Sequence, residues 1–272
     1  MLFLTRPAFR LLAGRGHLAD YPDIGWANME KRARVSEFTL RHELDVMDVR
    51  AAVWKAITAD PRYEIVEFCT WPLLYQFQAA PGPGQPDVML RPDGFLHIAE
   101  RDSDSAMSEH LFFLEVDRST ETQATLGSKA ACYANFYRRG GMASRCGGSR
   151  EQYKKFPFRV LIAVRNTERR NNAAEQILQC TPPLLTQVWL STLDELKGNP
   201  LGKIWMQPAD YRAAVANTNF AVPASPPNPP AVYQRRVERE VLVDRRVVKR
   251  SLFDSASPLS NARSHTARDV DH

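Results

Sequence analysis

The stretch Phe112-Phe113-Leu114-Glu115-Val116-Asp117-Arg118-Ser119-Thr120-Glu121 sets an apolar run around two carboxylates two residues apart. Side chains alternate along an extended chain, so Glu115 and Asp117 leave it from the same face. Two acids on one face of a hydrophobic strand repel each other and lose hydration unless something cationic stands between them. A metal ion, an arginine or a lysine would each serve, and Arg91, Arg118 and Lys129 are the cations within reach along the chain. Asp93, ahead of Gly94, enters the preceding extended run. Acids at the entry of one strand and on its hairpin partner can converge on an oxygen-rich point that Mg²⁺ accepts. A cation held there would lower the pKa of a bound water and stabilise charge on a phosphoryl oxygen. Asp87 also follows a proline and competes with Asp93 for this role, and an Asp before Gly is commonly a turn residue. Metal binding and internal ion pairing both remain open readings of the carboxylates.

The surrounding pattern must position these groups. Leu2–Thr5 reads as a short strand, Pro7–Ala13 as one or two helical turns, and Leu18–Arg34 as a connecting region. A helix is expected over Thr39–Thr58, with Leu44, Met47, Ala51, Trp54 and Ile57, together with Val53, as its apolar positions and Asp60-Pro61 as its stop. Extended segments follow at Tyr63–Cys69, Leu73–Phe77, Asp87–Leu90, Gly94–Ala99 and His110–Asp117, the last two forming a hairpin. Thr120–Arg138 is helical in period, and Gly140–Gly148 is a glycine-rich basic loop. Phe158–Val164 is apolar at every position but Arg159, as for a strand buried on both faces. A helix over Thr167–Cys180, a strand over Gln187–Leu190, a turn over Leu193–Leu196 and Ile204-Trp205 complete the pattern. The order implies an α/β fold with a mixed central sheet flanked by helices.

Composition bounds the rest. The 272 residues carry a formal charge of +5, a mild basic excess compatible with a nucleic-acid partner without demanding one. Arg138, Arg139, Arg145, Arg150, Lys154 and Lys155 flank the glycine-rich loop and are the candidate phosphate-backbone contacts, with Arg165, Arg169 and Arg170 a lesser group. Cys69, Cys132, Cys146 and Cys180 are widely spaced, which excludes a Cys-x-x-Cys zinc pair and points to reduced thiols and a cytoplasmic location. No apolar run approaches the roughly 20 residues that span a bilayer. From Val222 onward, prolines and then interleaved charges predict a disordered tail, with room for one transient amphipathic helix.

Taken together, Pro92-Asp93-Gly94, Phe113-Leu114-Glu115-Val116-Asp117-Arg118-Ser119-Thr120-Glu121, Lys129 and Tyr133-x-x-x-Tyr137 resemble the replication-relaxation family of bacterial plasmid and mobile-element proteins. His42-Glu43-Leu44-x-Val46 and the segment from Leu193-Asp194-Glu195-Leu196 to Ile204-Trp205 fit the same pattern. The resemblance implies a restriction-endonuclease-like core of the PD-(D/E)xK layout over residues 39–215. Residues 1–18 would then be the remnant of a winged-helix domain, 19–38 a connector and 216–272 the tail. It implies DNA as partner, other replication or mobilisation proteins beside it, and Mg²⁺ as the sole cofactor, with no membrane and no small-molecule cofactor. Asp93 and Glu115 would match the metal-binding acids. Asp117 stands where the layout places a lysine, as a further ligand or water-orienting group, with Lys129 as a substitute from the next helix. His42, opening the first helix, reads as a capping or surface residue, with a further ligand as the alternative. The alternatives to a DNA nuclease or nickase are a non-catalytic protein- or DNA-binding module and a truncated, degenerate copy.

Overall fold

The computed structural model describes residues 4–19, 25–33, 36–70, 75–101, 107–118, 121–218 and 241–253. Two helices, α1 (Arg6–Gly14) and α2 (Trp26–Ala33), open the chain. They meet through an edge-on contact between Phe9 and Trp26. The long helix α3 (Glu37–Thr58) follows. The strands are β1 (Tyr63–Cys69), β2 (Phe77–Ala79), β3 (Val88–Leu90), β4 (Gly94–Arg101) and β5 (Met107–Asp117). Then come α4 (Gln123–Arg138), α5 (Gly141–Arg145), a short 3-10 helix (Arg150–Lys155), β6 (Arg159–Val164), α6 (Thr167–Leu178), β7 (Val188–Thr192), α7 (Leu193–Gly198) and α8 (Pro208–Ala216).

Five strands form one mixed sheet in the order β1-β4-β5-β6-β7, and β2 pairs with β3 apart from it. The β1, β4 and β5 neighbours run antiparallel, whereas β5, β6 and β7 run parallel. Strand β5 is thus where the sheet changes from hairpin to crossover connections, and α4 and α6 are the crossover helices. Alternation along β5 divides its side chains. Leu111 and Phe113 enter the core beneath α4 and α6, while Phe112, Leu114 and Val116 enter the core beneath α3 and α7. Every residue of β6 is buried, Arg159 at its start together with the five apolar residues that follow.

Several expectations change. Ser36 caps α3 by accepting from the Thr39 N–H at 3.2 Å, so the helix begins earlier than its apolar period suggested. Its buried stripe is Val46, Val49, Val53 and Ile57, while Leu44, Met47 and Trp54 are exposed. The helix carries two apolar stripes, and the β-branched one fits against the sheet. Trp26–Ala33 is helical inside the expected connector, and α8 was not foreseen. Part of the glycine-rich loop is helix α5, which Gly140 introduces at φ +70, where an added Cβ would stand 2.5 Å from the Arg150 backbone. The expected strand at Leu2–Thr5 falls largely outside the described residues; of the one at Leu73–Phe77, residues 73–74 lie outside them and only Phe77 is in a strand, at the start of β2.

The tail expectation is overturned over residues 241–253, which pack onto the domain. Val243, Val247 and Leu252 are buried, and Arg250 bridges Trp205 through backbone hydrogen bonds. Phe253 stacks on Tyr63 with ring centroids 4.1 Å apart. Asp244 pairs with the fully buried Arg170, Lys249 with Glu195 and Arg250 with Asp210. Interleaved valines and charges looked like solvated chain, but Val243 and Val247 turn into the core and Asp244, Lys249 and Arg250 answer charges on the domain. Residues 219–240 and 254–272 of the expected tail lie outside the described residues.

Candidate active site

Glu115 and Asp117 project from the same face of β5, towards α4 and α6, and both are buried. Thr122 caps α4 by accepting from the Thr125 N–H at 3.1 Å. The helix then presents Lys129 and Tyr133, four residues apart and so on one face, to Glu115. Lys129 Nζ donates to Glu115 Oε2 at 3.1 Å and to Glu121 Oε1 at 2.7 Å. The Tyr133 hydroxyl donates to Glu115 Oε1. On the other side of β5, Asn166 caps α6 and so fixes its first turn, where Arg169 Nε donates to Asp117 Oδ2 at 2.6 Å. Arg169 also donates to the Glu121 carbonyl at 2.5 Å.

Asp93 stands one residue before β4, whose Gly94 is registered against Leu114 of β5. Its Oδ2 accepts the Val116 N–H at 2.7 Å, and its Oδ1 lies 2.9 Å from His42 Nε2 on α3. Asp93, Glu115, His42, Lys129, Glu121, Asp117 and Tyr133 line one cavity of about 100 Å³ between the sheet, α3 and α4. The fold therefore gathers groups from β5, α3, α4 and the β4 entry at one point.

The electrostatics follow from burial. Desolvation pushes the Glu115 carboxyl from its ordinary 4.5 up to about 7; the Lys129 charge opposes this shift and the Asp93 charge adds to it. Burial opposes the charge on Lys129, but Glu115 and Glu121 outweigh it and hold the ammonium above its ordinary range. The hydrogen bond to Asp93 raises the His42 pKa against partial desolvation. Burial also raises the Tyr133 pKa well above the ordinary phenol, so Tyr133 serves as a donor to Glu115.

The predicted site residues divide into two places. Asp93, Glu115, Asp117 and Lys129 line the cavity, but the three acids face different partners: His42 with the Val116 N–H, Lys129 with Tyr133, and Arg169. Among the described residues, no three His, Cys, Asp or Glu side chains form a group that could hold a metal ion. Asp87, the rival of Asp93, pairs with Arg139 at 2.7 Å and is not among the cavity residues. Arg118, a candidate partner for the acids, turns instead to Asp45.

The basic residues expected to meet DNA stand at the far end of α4. Arg138 lies nine positions beyond Lys129, about 13 Å along the helix axis. Arg138 donates to Asn135, Arg139 is paired with Asp87, and Arg145 caps the Gln76 carbonyl while lying over the Tyr75 ring. Arg150, Lys154 and Lys155 are exposed on the 3-10 helix. Two participants were hard to foresee. Arg169 carried no local signal, since only the β5–β6 pairing brings α6 to Asp117. His42 read most simply as a helix-opening surface residue, and only the tertiary contact with Asp93 sets it in the cavity.

No helix among the described residues is long and apolar enough to cross a membrane. Comparison with curated proteins finds no match, and comparison with solved structures finds none. A family model, described as replication-relaxation, matches residues 5–149, more than half of the chain and the whole stretch from α1 through Asp93, Glu115, Asp117 and Lys129. The chain belongs to the replication-relaxation family.

Proposed function

We propose that this protein acts on DNA in the replication of a plasmid or mobile element, hydrolysing phosphodiesters at the Asp93–Glu115–Lys129 cavity. Membership of the replication-relaxation family suggests the replication role. The observation that carries the chemistry is the meeting of two carboxylates and one lysine in a single cavity, on a hairpin that feeds a parallel sheet. That layout supports a restriction-endonuclease-like core.

Two carboxylates of the cavity, Asp93 and Glu115, are what a divalent cation would draw on here, in place of the three-residue group that is absent among the described residues. The Asp93 charge and burial together disfavour the ionised form of Glu115, and a cation between the two would relieve both penalties. Asp93 and Glu115 would hold it, and when bound it would supply charge stabilisation at a phosphoryl oxygen and an acidified water. The chain's own residues do the remaining work. Lys129 brings a fixed ammonium from α4 to the place that Asp117, tied to Arg169, does not fill. Tyr133 fixes the orientation of Glu115, and His42 that of Asp93.

A second reading, a DNA-binding module that does not cut, draws on a specific feature: Lys129 is already shared between Glu115 and Glu121. Incubating supercoiled plasmid with the protein and Mg²⁺ or Mn²⁺ separates the two. The hydrolytic reading expects nicked circles that EDTA, Glu115→Gln or Asp93→Asn abolishes. Intact plasmid with both metals, together with a melting temperature that neither metal raises, would sink it.

A further inference from the structure

Beside the acid cavity lies a larger cleft of about 570 Å³, over the ends of the parallel strands. Arg118 follows β5 directly, Arg165 follows β6, and Leu193 follows β7. The first turns of α3 close the other side with Phe38 and Arg41, and α7 contributes Lys197. The two sites adjoin along the chain: Arg118 is next to Asp117, and Arg41 is next to His42. Crevices beyond the carboxyl ends of parallel strands, where the connectivity of a sheet changes direction, are where open α/β sheets take ligands.

We infer that this cleft holds a single nucleic-acid strand, with a phosphate on Arg165 and a base against Phe38, beside the acid cavity. The inference rests on the proposed reading of that cavity and names its substrate as unpaired strand. Three features argue for it. The volume lies within the range of about 300–1,000 Å³ usual for ligand sites, room for a nucleotide or two but not for a duplex. Phe38 is 63% exposed at the wall of a cleft that sets Arg41, Arg118, Arg165 and Lys197 against Glu37, Asp45 and Asp194, and an exposed aromatic ring beside such cations is a stacking platform for unpaired bases. The cations are also held in place. Asp45 is shared by Arg118 and Lys197, and Glu37 holds Arg41, so three cationic heads are fixed by carboxylates. Among the described residues Arg165 pairs with no carboxylate, unlike the other three cations of the cleft.

That difference gives the test. Fluorescence anisotropy of the full chain, in EDTA and low salt, would compare a labelled single strand with a blunt duplex of the same sequence. The single strand is expected to bind more tightly than the duplex. Arg165→Glu is expected to weaken single-strand binding at least tenfold with an unchanged melting temperature. Arg165→Gln is expected to flatten the dependence of log affinity on log salt by about 0.7, the loss of one single-strand phosphate contact. Arg145→Glu with Lys154→Glu, at the far end of α4, is expected to stay within twofold of wild type. Tighter duplex binding, an Arg165→Glu protein that binds like wild type, or loss confined to the Arg145/Lys154 variant would each overturn the cleft assignment. The two readings fail separately: metal-dependent nicking with normal Arg165→Glu binding removes the cleft alone. The expected binding pattern in a protein that cuts nothing supports the cleft and removes hydrolysis alone.

Discussion

Lys129 Nζ lies 3.1 Å from Glu115 Oε2, so an ammonium from helix α4 answers the carboxylate that strand β5 buries. Burial still outweighs that attraction, and Glu115 titrates near 7. Between its ordinary 4.5 and about 7, the folded chain keeps a proton that the unfolded chain has released. The stability from this group is complete below the unfolded value and is lost as pH rises through the folded one. His42, also raised, acts in the same direction: its contribution is present below 6.5 and lost as pH rises through its folded value.

Glu115→Gln should therefore flatten the stability profile. Its unfolding free energy, from urea titrations near pH 5 and near pH 8, should fall less than that of wild type. The difference is at most about 3 kcal/mol, from the pKa shift converted to free energy. A variant whose profile runs parallel to wild type contradicts the assignment.

Asp117 and Arg169 form the other buried pair of the site, 2.6 Å apart. Arg169→Met strips a buried carboxylate of its cation and should cost about 3–5 kcal/mol. Adding Asp117→Asn removes the stranded charge and should recover most of the loss. The double-mutant cycle by denaturant unfolding is the check, and additive single effects would show that the contact contributes little.

Residues 241–253 should behave as part of the domain. Arg170 has no exposed side-chain surface, and its main partner is Asp244. Asp244→Ala should cost about 1–3 kcal/mol, the value of a charge-assisted hydrogen bond whose donor stays buried. Limited proteolysis should spare 241–253 in wild type and cut there in the variant. Equal cleavage in both would place the segment off the domain.

Much of this fold can be read from residue pattern, because the pattern is local where it succeeds. The β4–β5 hairpin, the shared face of Glu115 and Asp117 and the doubly buried β6 follow from alternation and apolar continuity. The buried side of α3 does not, since Leu44, Met47 and Trp54 are as apolar as Val46, Val49 and Val53. Only the shape of the sheet chooses between the two stripes. The neutralisation of Asp117 was equally hidden, because only the pairing of β5 with β6 brings Arg169, 52 positions away along the chain, to it. The packed segment 241–253 was hidden by its composition, which resembles solvated chain until Arg170, Glu195 and Asp210 are seen waiting for its charges.

The most direct test of the central claim is single-turnover nicking of supercoiled plasmid by wild type and Lys129→Met in Mg²⁺, with each protein's fold checked by circular dichroism. If Lys129 supplies the charge that Asp117 does not, wild type nicks and Lys129→Met slows at least a hundredfold, about 3 kcal/mol of transition-state stabilisation. A folded Lys129→Met protein that nicks at the wild-type rate, or a wild-type protein that leaves the plasmid intact, would contradict it.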